Sequence, residues 1–117
     1  MLASINGEPG FEAVDAVVEG ASVSSVNIAE VATKLALRGA GAAEIDATIA
    51  AFRIVIEPFD ARRATEAGLL VVRTRHRGLS LADRACLALA IEFASPVLTA
   101  DRAWASLAIG IEVRLIR

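Results

Sequence analysis

Apolar positions change their spacing several times along the chain, and each change predicts a helix or a strand. Recurrence at helical spacing predicts helices over residues 11–19, 26–38, 42–52, 60–77, 81–94 and 101–107. Short β-branched runs predict strands over 21–24, 54–57, 96–99 and 111–116. Because strands that alternate with helices need crossover connections, the pattern predicts an α/β fold with a mostly parallel sheet and helices on both faces.

The composition favours a single packed domain that spans residues 1–117. Hydrophobic residues make up 56% of the chain and charged residues 22%, which argues against intrinsic disorder. One cysteine, Cys86, excludes a disulfide framework and predicts a buried, unreactive thiol. The sequence does not begin like a signal peptide and has no apolar run of roughly 20 residues, so the cytoplasm is the expected compartment.

Three acidic residues lie where an α/β sheet is expected to bind ligands. Asp101 comes two residues after the strand 96–99, Glu30 lies in the first turns of the helix after the strand 21–24, and Asp83 lies in the first turn after Ser80. Ligands of open α/β sheets bind outside the carboxyl ends of the strands. If the three carboxylates converge, a hard cation such as Mg²⁺ or Mn²⁺ would relieve their repulsion, and phosphodiester hydrolysis becomes a reasonable hypothesis.

Each of these carboxylates also has a purely structural interpretation. Residues 80–83 have the spacing of a capping box, residues 27–30 have that of a looser one, and Asp101 can cap the short helix that follows it. A helix cap contributes about 1 kcal/mol, which is reason enough for a carboxylate at each position. The sequence pattern alone leaves both interpretations open.

Three segments closely resemble the signature segments of PIN-domain toxins of the VapC type. They are residues 27–31 (NIAEV), 78–90 (GLSLADRACLALA) and 96–104 (PVLTADRAW), and residues 111–116 resemble the last strand of that family. The resemblance covers the whole chain, in order and at the usual spacing. It implies a PIN-like three-layer α/β/α fold.

The resemblance also implies a function, a cofactor and partners. PIN-domain toxins are Mg²⁺- or Mn²⁺-dependent endoribonucleases, in which a metal-activated water cleaves RNA. By position, Glu30, Asp83 and Asp101 match three acidic residues that bind the metal and act in catalysis, and Thr99 matches a hydroxyl position often found beside them. The family usually dimerises and is neutralised by an antitoxin, so the expected partners are RNA, an antitoxin and a second copy of the chain.

The chain departs from the family pattern at its start. The family opens with a central apolar strand that ends in an aspartate, followed by a helix leading to a motif like Gly7-Glu8-Pro9-Gly10; here residues 1–5 resemble the second half of that helix. We therefore expect an N-terminally truncated domain, with Met1 an internal methionine of a functional product that begins upstream. Without the strand, each buried unpaired backbone group would cost about 1–3 kcal/mol, so the truncated form should be impaired.

A cluster of basic residues precedes and enters the helix 81–94. Cations favour the C-terminus of a helix, and they can equally bind the phosphates of RNA without reading its sequence. Since the net charge is −2, any affinity for RNA must come from such a local patch. Arg77 and Arg84 are, with Thr99, the candidate substrate contacts. The cluster consists of Arg73, Arg75, His76, Arg77 and Arg84.

Three other functions fit part of the pattern. A catalytically impaired PIN-like module that only engages an antitoxin or partner subunit fits the absent aspartate. A receiver domain needs a lysine after a late strand, and Lys34 is in the wrong place. A dinucleotide-binding domain needs a glycine-rich turn from strand to helix, whereas Gly39-Ala40-Gly41 joins two helices. The impaired binding module is thus the alternative to the endoribonuclease.

Overall fold

The computed structural model describes residues 20–115, in which four strands alternate with helices. The predicted helix over 11–19 and the end of the last predicted strand lie outside the described residues. The strands are β1 (Ser22–Ser24), β2 (Val55–Glu57), β3 (Val97–Thr99) and β4 (Val113–Leu115). The α-helices are α1 (Ser25–Leu37), α2 (Ala42–Ala50), α3 (Ala61–Leu69), α4 (Val71–Thr74) and α5 (Leu81–Glu92), and two 3₁₀ helices are η1 (Arg75–Arg77) and η2 (Arg102–Ser106).

Side-chain caps fix where the longer helices begin. The Ser24 hydroxyl accepts a hydrogen bond from the Val26 N–H, and the Asp60 carboxylate accepts one from Arg63. The predicted looser capping box at 27–30 is wrong, because α1 already begins at Ser25 and Glu30 lies inside the helix. The predicted helix starts are otherwise correct to within two residues.

The single helix predicted over 60–77 is wrong, because the structure divides it into α3, α4 and η1. The Thr74 hydroxyl donates to the Leu70 carbonyl oxygen at 2.8 Å, a contact that bends helices, and the Thr74 backbone leaves the helical region at φ −125°. Gly78 then ends η1 at φ 63°, a left-handed conformation that costs glycine little. The three basic residues of η1 therefore lie on a 3₁₀ turn rather than on a long α-helix.

The described strands form two parallel pairs. In the first, Ser22 to Ser24 of β1 face Val55 to Glu57 of β2; in the second, β3 pairs with β4. The α/β class and the parallel pairing are confirmed. The strands of residues 20–115 do not join into one continuous sheet, since β1 and β3 each have one strand partner there.

Helix α5 lies at the centre of the described fold. It contacts α1 and α3 as well as β1 and β3, and the Leu87 side chain is fully buried. These neighbours cover a helix that carries apolar residues on nearly every face. No helix within residues 20–115 is long and apolar enough to cross a membrane. The core cluster comprises Ala67, Leu70, Leu87, Ala88, Ala90, Val97, Trp104 and Ile109.

Candidate functional site

A side-chain hydrogen bond joins the beginnings of α1 and α5. Asn27, in the first turn of α1, donates from Nδ2 to the carbonyl oxygen of Ala82 at 3.2 Å. Glu30 lies nearly one turn beyond Asn27 and is exposed, and Asp83 directly follows Ala82. Asp83 thus lies in the first turn of α5, and Glu30 lies in the second turn of α1, nearly one turn beyond the residue that joins the two helices.

Asp83 closes the predicted capping box at the start of α5. Its Oδ2 accepts the Ser80 N–H at 3.0 Å, and the Ser80 hydroxyl accepts the Asp83 N–H at 3.2 Å. Oδ1 of Asp83 makes no hydrogen bond to residues 20–115. Burial, with a smaller contribution from the Asp83 charge, raises the pKa of the neighbouring Cys86 thiol to about 11, as expected of an unreactive cysteine.

Asp101 and Thr99 form a second local arrangement, at the carboxyl end of β3. Oδ1 of Asp101 accepts the Ala103 N–H at 2.9 Å, so the predicted cap of the following helix is confirmed. The Thr99 hydroxyl accepts the Asp101 N–H at 3.0 Å. Thr99 therefore orients the backbone of Asp101, which itself is exposed and keeps Oδ2 free of hydrogen bonds to the described residues.

The described residues do not by themselves form a metal site. Within 20–115, no three His, Cys, Asp or Glu side chains lie close enough together to hold a metal ion. The convergence of Glu30, Asp83 and Asp101 that the sequence suggested is therefore not found in this part of the chain. The physical reason is that Glu30 follows β1 and Asp101 follows β3, and the described strands do not hydrogen-bond these two strands into one sheet. The roles of the three residues stay predictions.

Sequence reasoning missed Asn27. Its Oδ1 is buried and has no hydrogen-bond partner among residues 20–115, while its Nδ2 links two helices through a residue that lies 55 positions away in sequence. A signal was present, since Asn27 lies four residues before the buried Val31 and so shares the inner face of α1. A polar residue on a buried face needs a specific partner.

The structure divides the basic cluster into two groups. Arg73 donates to the Ala108 carbonyl oxygen at 2.7 Å, and Arg84 donates to the Ala67 carbonyl oxygen at 3.0 Å. Both guanidinium groups thus connect parts of the fold, and Nε of Arg84 is buried without a partner among the described residues. The side chains of η1, in contrast, are exposed and make no hydrogen bond or ion pair within 20–115. Arg77 is accessible as a substrate contact, whereas Arg84 is largely engaged.

The family relationship follows from a comparison with protein-family models. The PIN domain family matches residues 1–110, nearly the whole chain, and the parallel strands and surrounding helices are consistent with its α/β/α fold. No protein of curated function matches the chain. PIN domains are generally nucleases and typically use divalent metal ions. The chain belongs to the PIN domain family.

Proposed function

We propose that this PIN domain is a Mg²⁺- or Mn²⁺-dependent endoribonuclease and the toxin component of a cytoplasmic toxin–antitoxin pair. The observation that carries the proposal is the Asn27–Ala82 hydrogen bond, which joins the first turn of α1, three residues before Glu30, to the residue that precedes Asp83. Family membership supplies the nuclease chemistry. The resemblance of residues 27–31, 78–90 and 96–104 to VapC-type toxins supports the narrower assignment.

The proposed acidic residues are Glu30, Asp83 and Asp101. Helix capping occupies one oxygen of Asp83 and one of Asp101. Among residues 20–115, the second oxygen of each has no partner, and the carboxylate oxygens of the exposed Glu30 have none either. Oxygen ligands of this kind suit Mg²⁺ and Mn²⁺. Because residues 20–115 lack a three-residue metal group, the proposal includes at least one further acidic ligand outside them.

A further strand that joins the two sheets is part of the same proposal. Both β1 and β3 contact α5, and each has a single strand partner among the described residues, so one strand hydrogen-bonded to both would complete a continuous parallel sheet. Such a strand would bring the carboxyl ends of β1 and β3 to one rim, and its own end would supply the additional carboxylate.

Cleavage of labelled RNA tests the proposal. With Mg²⁺ or Mn²⁺ the protein should cut a 5′-labelled RNA internally, and EDTA should abolish the cleavage. Glu30→Gln, Asp83→Asn and Asp101→Asn should each lower the rate by about a hundredfold or more, since each removes a charge from the reacting site. Glu44→Gln, at an exposed carboxylate on α2, is the matched control and should cleave normally. Cleavage that persists in EDTA would contradict the proposal.

The alternative is a PIN-like module that binds an antitoxin or a partner subunit without cutting RNA. The observation that favours it is the lack of a three-residue metal group within residues 20–115. Such a module would bind its partner in EDTA and show no RNA cleavage with either metal. The endoribonuclease would bind its partner and also cleave RNA when Mg²⁺ or Mn²⁺ is present. Sedimentation of the purified protein tests whether it forms the proposed homodimer.

A further inference from the structure

The segment between Glu66 and Asp83 has an unusual charge distribution for this protein. Residues 67–82 contain three arginines and the single histidine but no aspartate or glutamate, although the whole chain carries a net charge of −2. The positive charge is therefore local, and it ends next to the start of α5. A local basic segment on an otherwise acidic protein attracts polyanions at that place only.

Among the arginines within residues 67–82, only those of η1 lack a hydrogen-bond or ion-pair partner among the described residues. The Arg73 guanidinium is engaged by the Ala108 carbonyl oxygen. Arg75, His76 and Arg77 are all exposed, and none forms an ion pair or a side-chain hydrogen bond with residues 20–115. Two arginines that have no partner among residues 20–115 can donate their N–H groups to an external anion.

The residues on either side of η1 are tied to the rest of the fold. On its N-terminal side, Thr74 is buried and donates to the Leu70 carbonyl oxygen. On its C-terminal side, Gly78 adopts a left-handed conformation and leads to the capping box of Ser80 and Asp83. A turn fixed at both ends loses little backbone freedom when a ligand binds, and this raises the affinity that a few contacts can give.

We propose that η1 binds the phosphate backbone of single-stranded RNA. Arginine pairs bidentately with phosphate, and η1 lies three residues before the Ser80 cap of the helix start that carries Asp83. Because residues 78–80 join η1 directly to the start of α5, an RNA strand held by Arg75 and Arg77 would lie near Asp83. The identity of the ligand rests on the proposed nuclease function, but binding at η1 needs neither metal nor cleavage.

Fluorescence anisotropy with a labelled 12-nucleotide RNA in EDTA, over a range of KCl concentrations, tests this surface. Arg75→Glu/Arg77→Glu should weaken binding at least about tenfold at low salt, and the slope of log affinity against log salt should fall by about 1.4, as expected for two lost phosphate contacts. Arg75→Lys/Arg77→Lys keeps both charges and should keep most of the slope. Lys34→Glu/Arg38→Glu changes the net charge equally at two exposed positions, one in the last turn of α1 and one at its C-cap, and it should have little effect.

The outcomes separate this proposal from the nuclease assignment. Unaltered RNA affinity in Arg75→Glu/Arg77→Glu, an equal loss in Lys34→Glu/Arg38→Glu, or no RNA binding by the unaltered protein would overturn the proposal. So would preference for anionic lipid vesicles over RNA. Binding that depends on η1 without metal-stimulated cleavage would leave the surface in place and remove the nuclease proposal.

Discussion

The two ends of α5 use their charged residues in opposite ways. At the C-terminal end, Arg63 of α3 donates two hydrogen bonds to Glu92, at 2.8 and 3.0 Å, and further bonds to the Glu57 carboxylate and the Pro58 carbonyl oxygen. At the N-terminal end, Asn27 and Asp83 each have one oxygen without a partner among the described residues. One end pairs its polar groups within the fold. At the other end, Oδ1 of Asn27 is buried, and Oδ1 of the half-buried Asp83 is unpaired among residues 20–115.

This difference indicates where function and where stability depend on charge. A carboxylate with both oxygens bound by an arginine has little capacity left for a ligand, whereas one oriented through a single oxygen can accept another bond. The C-terminal end joins α3 to α5, and the N-terminal end keeps Oδ1 of Asp83 without a partner among residues 20–115, six residues after the basic turn η1 ends. Substitutions at the two ends should therefore affect different measurements.

The middle of α5 is packed in the core between the two ends, so a substitution there should have the largest effect on the stability of the fold. Leu87 is fully buried among α3, β3 and η2, and Leu87→Ala should lower the free energy of unfolding by about 2–5 kcal/mol through lost burial and a residual cavity. Urea denaturation measures it. Leu37→Ala, at a leucine that is 83% exposed, is the control and should change stability little. Equal effects of the two substitutions would mean that α5 is not the centre of the core.

The sequence predicted the features of α5 that depend on neighbours in the chain. Ser80 and Asp83 are three residues apart, and their capping box followed from that spacing. The class of the fold followed from the order of strands and helices. The contact of Asn27 with Ala82 joins positions 55 residues apart, and no local pattern specifies it. Convergence of three carboxylates depends in the same way on how β1 and β3 are joined, which spacing does not determine.

Removal of the cap at the N-terminal end should have an intermediate effect on stability and a separate effect on function. Ser80→Ala loses the hydroxyl that accepts the Asp83 N–H, which should cost about 1 kcal/mol. Because Asp83 then loses part of its orientation, RNA cleavage should fall by more than the stability change explains. Ser95→Ala, just beyond the other end of α5, removes a hydroxyl that donates a hydrogen bond to the Phe93 carbonyl oxygen. It should affect neither the stability nor the cleavage of RNA. A parallel change in cleavage for both variants would refute the functional difference between the ends.

The smallest expected effect lies at the C-terminal end, and it depends on pH. The hydrogen bonds from Arg63 hold the pKa of Glu92 below its ordinary value, and the same pairing raises the pKa of Arg63. A carboxyl whose pKa is lower in the folded state stabilises the protein above its unfolded pKa, and this stabilisation is lost as the pH falls through the folded value.

Arg63→Gln should therefore lower the melting temperature at neutral pH and flatten its decline in acid, because Glu92 then titrates near its ordinary pKa. Arg114→Gln breaks an ion pair between exposed residues that lie two apart in sequence, so thermal denaturation between pH 7 and pH 3 should show a weaker effect. If Arg114→Gln flattened the acid decline as much as Arg63→Gln, the bidentate pair would have no special role at that end of α5, and the contrast between the two ends would rest on the N-terminal acceptors alone.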